Sequence, residues 1–142
     1  MLTKDECDLM HRSMHGTMVE NMQMRFIPSD DDVARCEMPI TDRVRQYRGV
    51  LHGGAYLALA ETLAGAGSLH VIGFDMTASV IGTEVSGTHL AMSPSEGNVY
   101  GAASLLHAGH STHVWEVRIT DKDGTLLSVE RVTNRILWPQ KG

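Results

Sequence analysis

The sequence has only two cysteines, a deficit of positive charge and no uninterrupted apolar run long enough to span a membrane. Each shortage excludes a class of protein. Cys7 and Cys36 make no metal-ligand spacing. A chain of 142 residues buries enough surface to fold without a disulfide, so both read as reduced thiols of a cytoplasmic protein. Twelve Lys and Arg against 17 Asp and Glu leave a formal net charge of -5. That balance offers no phosphate-neutralising surface, so no nucleic-acid partner is expected, and it repels anionic membranes. The longest apolar stretch, Gly53 to Val71, contains Glu61, His70 and many small residues. It reads as a buried core helix rather than a membrane span. The first ten residues carry Asp5, Glu6 and Asp8 and are not expected to act as a signal peptide. There is no internal repeat and no low-complexity segment. A Gly-x-Ser-x-Gly elbow is absent, as are phosphate-loop and dinucleotide fingerprints, so neither a serine hydrolase nor a nucleotide fold is expected.

What is present fits one domain over residues 1–142, with 42% apolar and 20% charged residues. A helix is expected from Thr3 to about His15, because Thr3 followed by Glu6 makes a capping box. Leu9, Met10, Met14 and Met18 form its rough apolar stripe. From about Met18 to Ile40 the pattern predicts two short strands, broken by Pro28-Ser29-Asp30-Asp31-Asp32. Thr41 to Gly49 reads as a loop. His52 to about Val71 is apolar on nearly every face and is expected to be a helix buried all round. Strands follow at Ala78–Met92, Asn98–His107, Thr112–Thr120 and Leu126–Leu137. The third of these alternates cleanly and the last less so. Asp121-Lys122-Asp123-Gly124 reads as a hairpin turn, and 138–142 as a loose tail. One apolar helix with a run of antiparallel strands predicts an α+β fold, a curved antiparallel sheet wrapped around a central apolar helix. One subunit cannot easily cover every face of such a helix, so a homo-oligomer is expected.

Between Arg48 and Asp75, Glu61 is the only Asp, Glu, Lys or Arg. Burying an unpaired carboxylate costs several kcal/mol, on the order-of-magnitude scale for buried ions. Desolvation is expected to raise its pKa and improve it as a base. The structural alternative is that Glu61 pairs with an arginine elsewhere or reaches solvent at a subunit edge. His52-Gly53-Gly54 stands where the helix should start. Free N–H groups and the positive dipole end converge there, and glycine lets a ligand approach the backbone. A carbonyl oxygen gaining negative charge would be stabilised at that point. The alternative is a plain glycine-rich helix start. Glu61 follows His52 by nine residues, roughly 13 Å along a helix axis. One chain's Glu61 is therefore too far from its own oxyanion site, and the spacing predicts an active site shared across a two-fold axis.

Gln46, His52-Gly53-Gly54-Ala55 and Ala60-Glu61, with His89, His107, Gly109 and Trp115, resemble the hot-dog-fold acyl-CoA thioesterases. The likeness runs from about Met38 to Leu137. It points to the glutamate-bearing branch, which includes the 4-hydroxybenzoyl-CoA, enterobactin-proofreading and 1,4-dihydroxy-2-naphthoyl-CoA thioesterases. The phenylacetate-pathway thioesterases share the His-Gly-Gly pattern but carry an aspartate. The resemblance implies hydrolysis of an acyl-CoA, with an aromatic or medium-length acyl group, by a homo-oligomer arranged as a dimer of dimers. Glu61 would attack the carbonyl or activate water, the Gly53 N–H would polarise the carbonyl, and Gln46 and His52 would position the reactants. Gly82, the segment His89, Leu90, Ala91 and Met92, and the segment His107, Ala108, Gly109, His110, Ser111 and Thr112 match places where relatives bind CoA. No metal and no cofactor beyond the CoA of the substrate is implied.

Two departures stand out. Gly65 occupies the position, one turn after the glutamate, where relatives often have Ser or Thr. Ala91 and His110 occupy places where relatives commonly hold the CoA phosphates with Arg or Lys, which would leave His110 and His113 to contribute when protonated. Two rival readings are a proofreading thioesterase acting on misacylated carrier proteins and a non-catalytic acyl-CoA-binding module. A hot-dog dehydratase fits the glutamate pattern poorly. His107, His110 and His113 are three apart, which on a strand puts neighbours on opposite faces, so no metal site is expected there. His11 and His15, four apart on the first helix, have no acidic or cysteine partner for a metal. Tyr56, Leu57, Leu63, Phe74 and several methionines are candidate pocket residues.

Overall fold

Helix α3 (Gly53–Val71) is the axis of the molecule. It starts where the sequence predicts: His52 is its N-cap, and the His52 Nδ1 accepts the Gly54 N–H at 2.8 Å. The computed structural model describes residues 1–141. The other elements are α1 (Lys4–Ser13), α2 (Met18–Asn21), β1 (Arg25–Ile27), β2 (Ala34–Pro39), β3 (Ser79–His89), β4 (Asn98–Ala108), β5 (Thr112–Thr120) and β6 (Leu126–Leu137). The strands form one six-stranded antiparallel sheet in the order β1-β2-β4-β5-β6-β3. α3 packs on β2, β3, β4, β5 and β6, so the sheet wraps it as expected. No helix among the described residues is long and apolar enough to cross a membrane.

The strand interiors follow from period-two alternation. On β5, His113, Trp115, Val117 and Ile119 point inward and are buried. Trp115 presses on α3 at Gly67, where a β-carbon would come within 2.5 Å of the indole. Ser68, one residue on, is the polar node of this core. The Trp115 Nε1–H and the Asn134 side-chain amide donate to its Oγ, each at 2.9 Å. With those lone pairs occupied, the Ser68 hydroxyl must donate to His113 Nδ1 at 3.0 Å. His113 is thereby held as the neutral Nε2–H tautomer, in keeping with a pKa pushed down by burial.

Two glycines of α3 are therefore expected to respond oppositely to alanine. Gly67→Ala drives a methyl into the indole and should destabilise by about 2 kcal/mol, even after the gain in helix propensity. At Gly65 an added β-carbon meets nothing within 4 Å, so Gly65→Ala should stabilise by up to about 1 kcal/mol. Urea unfolding of the two variants reads the sign directly.

Three expectations are corrected. The segment from Met18 does not begin as a strand: α2 occupies Met18–Asn21, capped by Thr17, with the Glu20 side chain reaching back to the Gly16 N–H at 2.6 Å. A second Thr-x-x-Glu signal, Thr17 to Glu20, stood in the sequence for this turn. The first helix is correspondingly shorter, ending at Ser13, with its capping box between Thr3 and Glu6 formed. Secondly, α3 is not buried all round within one chain. Ala55, Tyr56, Leu59, Ala60, Leu63 and Ala64 are buried, but Glu61 is exposed and Leu57, Ala58, Thr62 and Gly65 are only half-buried. The sheet covers one side of the helix and leaves a strip open. Thirdly, the tail is not loose throughout. Trp138 stacks on His110, with ring centroids 5.4 Å apart, and its Nε1–H donates to the His110 carbonyl at 2.7 Å. Gly142, at the end of the tail, lies outside the described residues.

Candidate active site

Glu61 lies halfway along α3 on its open strip, and β3 runs beside it. Its carboxylate lies flat on Gly82 of β3. A β-carbon at Gly82 would overlap the carboxylate oxygen and approach Glu61 Cδ and Cγ to 3.0 Å. Gly82 therefore makes the seat of the carboxylate. Among the described residues no salt bridge involves Glu61, so the ion-pair alternative is not realised. The desolvation expected for Glu61 is not supplied by its own chain, since the side chain is exposed.

Glu61 and Gly82 border a cavity of about 620 Å³ walled by Met10, Met14, Met24, Met76, Ala58 and Gly65, with Asn134 also lining it. The methionines come from α1 and its C-cap, from the approach to β1 and from the loop after α3. They give flexible, polarisable walls. Asn134 is 1% exposed and its Oδ1 has no hydrogen-bond partner among the described residues. Gly65 leaves open the space that a larger residue would fill. Of the candidate pocket residues, Leu63 is instead wholly in the core and Tyr56 lines a different cavity.

That second cavity, about 340 Å³, sits at the N-terminus of α3. It gathers Gln46, Gly53, Tyr56 and the whole segment His89, Leu90, Ala91 and Met92. Gln46 is held in a tight turn, its Oε1 accepting the Arg48 N–H, and the turn is closed by a bridge between Arg45 and Leu51. Ser93 anchors the far wall by accepting the Leu51 N–H at 2.8 Å. His89 stands over Gly53: its Nε2 is 2.7 Å from where a Gly53 β-carbon would be. Only glycine leaves room there for both the imidazole and an approaching ligand.

Within one chain, then, the predicted residues fall into two half-sites. Glu61 and Gly82 belong to the first cavity, and Gln46, Gly53 and His89–Met92 to the second. His52 joins neither: its ring caps α3 and borders a separate groove with Met18, Met22 and Arg43. The segment His107 to Thr112 is the β4–β5 hairpin, closed by the Gly109 N–H donating to the Thr112 carbonyl at 2.8 Å. Thr112 pairs with Arg135, which pairs with Ile81, so this hairpin is at the Gly82 end of the sheet. His89 is seven residues further along β3, roughly 23 Å away. One chain does not bring the two expected CoA-binding segments together.

The residues that sequence reasoning missed are on the inner face of β6. Ser128, Glu130 and Asn134 are all buried there, beside Val132 and Ile136. Desolvation pushes the Glu130 carboxyl up to about 7, against a partial opposing effect of the hydrogen bond from Ser128. The signal was the imperfect alternation of Leu126–Leu137, in which polar residues fall on the inward register.

A helix N-terminus opening on one cavity, a carboxylate seated at the mouth of another and a sheet wrapped on that helix define a hot-dog thioester hydrolase. Comparison with known proteins agrees. The profile of the Thioesterase superfamily matches residues 48–128. The proofreading thioesterase EntH of Cronobacter sakazakii is 38% identical over 125 residues, covering 86% of this chain and 87% of that one. The 1,4-dihydroxy-2-naphthoyl-CoA hydrolase of Escherichia coli K12 is 37% identical over 123 residues, covering 86% and 88%. Among solved structures, a mutant thioesterase from Pseudomonas aeruginosa superposes with a TM-score of 0.86 at 29% identity, covering 92% of this chain and 93% of that one. A thioesterase from Haemophilus influenzae does so with a TM-score of 0.86 at 26% identity, covering 95% and 92%. The chain belongs to the thioesterase superfamily.

Proposed function

We propose that the protein hydrolyses an acyl-CoA to the free acid and CoA at a site composed from two subunits. The observation that carries this is the separation of Glu61 from Gly53 into different half-cavities of one chain. A two-fold partner with its helix antiparallel brings one subunit's Glu61 to the other's Gly53. The open strip of α3 is covered by the same association, and Glu61 is desolvated by it. β3 is an edge strand with Ile81 exposed and with exposed Leu90 and Met92 just beyond its end. An uncovered edge of that kind favours pairing with a second copy. A dimer of dimers is the assembly we assign.

In this site the Gly53 N–H polarises the thioester carbonyl and holds the oxyanion. Glu61 either attacks that carbonyl, expelling the CoA thiolate and leaving an acyl-glutamyl anhydride that water then cleaves to the free acid, or takes the proton of an attacking water whose tetrahedral adduct expels the thiolate. Gln46 orients the thioester, and His89–Met92 of one subunit with the His107–Thr112 hairpin of its partner flank the CoA. His52 acts by holding the first turn of α3 rather than by touching substrate. A carboxylate and an oxyanion site suffice for this reaction, so no metal or redox cofactor is assigned. The methionine-walled cavity suits an aromatic or medium-length acyl group, in line with a relative named for a naphthoyl-CoA. The buried free thiols Cys7 and Cys36 support a cytoplasmic location. The relative named as a proofreading thioesterase favours a second reading, a misacylated carrier protein as substrate. Rates for one acyl group on CoA and on a carrier protein separate the two.

Mixed oligomers test the shared site. Glu61→Gln and Gly53→Val subunits should each be inactive alone. Refolded together in equal amounts, they should recover about a quarter of wild-type thiol release, because half the dimers are mixed and each holds one intact site. No recovery overturns the shared site.

A further inference from the structure

Hydrolysis as described leaves the buried polar residues of β6 unused, and two of them, Ser128 and Glu130, are linked. Glu130 is 1% exposed and Ser128 is 0% exposed. Among the described residues Glu130 Oε2 has no hydrogen-bond partner, and Oε1 accepts the Ser128 hydroxyl. Ser128 Oγ also lies 2.8 Å from His89 Nδ1 and 3.2 Å from the Thr88 carbonyl. The other imidazole nitrogen of His89 faces Gly53. The ring is steadied against Tyr56, with centroids 5.1 Å apart. An unbroken path thus runs from Glu130 through Ser128 and His89 to the backbone that starts α3.

The serine hydroxyl gives this path two polarities. When Glu130 is ionised, Ser128 donates to it and accepts from His89 Nδ1–H, so Nε2 of the neutral ring is a bare acceptor. When a proton enters at Nε2, the Nδ1 proton passes to Ser128 Oγ and the serine proton passes to Glu130 Oε1. The result is a neutral carboxyl, a serine that donates to Nδ1, and an Nε2–H donor above Gly53. One proton is taken up and no bond between heavy atoms changes.

We propose that Glu130 is a positioning residue which, through Ser128, sets whether His89 donates or accepts a hydrogen bond above Gly53, and thereby gates thioester hydrolysis. This rests on Gly53 as the oxyanion site. The donor state adds an N–H beside the developing negative charge, whereas the acceptor state sets a lone pair against it. The neighbourhood allows the switch to work near neutral pH. Burial holds the Glu130 carboxyl at about 7. The titratable groups facing it are Tyr56 from α3 and His89 from β3. From β3 Gly87 lies opposite it and from β5 Val117, neither with a charge. Glu116, Arg118 and Arg131 alternate with the buried positions, and Glu116 pairs in register with Arg131. Among the described residues, no arginine or lysine therefore compensates the carboxylate.

Nitrogen-15 spectra of the His89 ring, which separate the two neutral tautomers from the cation, test the switch. In the wild type the ring proton should move from Nε2 to Nδ1 as pH rises through about 7, and kcat should fall with it by at least about tenfold. Glu130→Gln removes the ionisable group, so the His89 tautomer should no longer change with pH and the kcat limb should vanish. Ser128→Ala cuts the path and should also remove the limb, which keeps the test open if one variant folds poorly. An unchanged limb in both variants, or a wild-type tautomer insensitive to pH, overturns the relay. Either result leaves hydrolysis by Glu61 standing, because that is read separately from Glu61→Gln.

Discussion

Replacing Glu61 with Gln is expected to lower kcat by about 10³-fold or more while leaving the fold intact, from the usual cost of removing a group that acts on the reacting atoms. The amide keeps the size and most of the shape of the carboxylate but neither attacks a carbonyl nor accepts a proton from water. Its effect on stability should be small, because Glu61 is exposed within the chain and has no ion pair or hydrogen bond among the described residues. Steady-state thiol release over a panel of aryl and aliphatic acyl-CoAs, beside a thermal melt, separates these effects. A folded Glu61→Gln protein that turns over at the wild-type rate would falsify the assignment of the carboxylate.

The second large effect is expected at a residue with no chemistry of its own. Gly82→Ala should lower kcat by about 10²-fold, the cost of misplacing a reacting group by an ångström or so. The new methyl occupies the seat of the Glu61 carboxylate. What it displaces is the free end of a flexible side chain, so the backbone need not move and Tm should change little. Gly82 adopts no left-handed conformation, so alanine introduces no backbone strain. The test pairs kcat with Tm: a loss of activity without a loss of stability supports the seat. An undiminished kcat would mean that Glu61 acts from some other position.

The two variants also bear on what was readable in advance. α3 was legible to within a residue of its start because its determinants are local: His52 and two glycines, then a run rich in Ala and Leu. β5 was legible because its inward and outward residues differ in polarity. β6 was less so, since Ser128, Glu130 and Asn134 point inward where apolar residues are the rule. Each has at least one polar partner that the alternation of β6 alone does not reveal: Ser128 meets His89 of β3 and donates to Glu130 two residues on, and Asn134 donates to Ser68 and to the Ala64 carbonyl of α3. Trp138 looked like part of a loose tail because its partner, His110, lies 28 residues earlier. The turn at Met18–Asn21 was missed although its cap was present, because four residues are too few to show a helical period.

The sequence by itself determined the helix over about His52 to Val71, the α+β class, and the fixed offset between the glycines at the helix start and the lone carboxylate. All three follow from capping, periodicity and axial rise, which act over one or two turns of chain. Only the tertiary structure decided that the carboxylate rests on Gly82, that His89 stands over Gly53, and that Glu130 is wired to it through Ser128. These are juxtapositions between elements, set by strand register. A slip of one residue in β3 against β6 would turn each side chain to the opposite face.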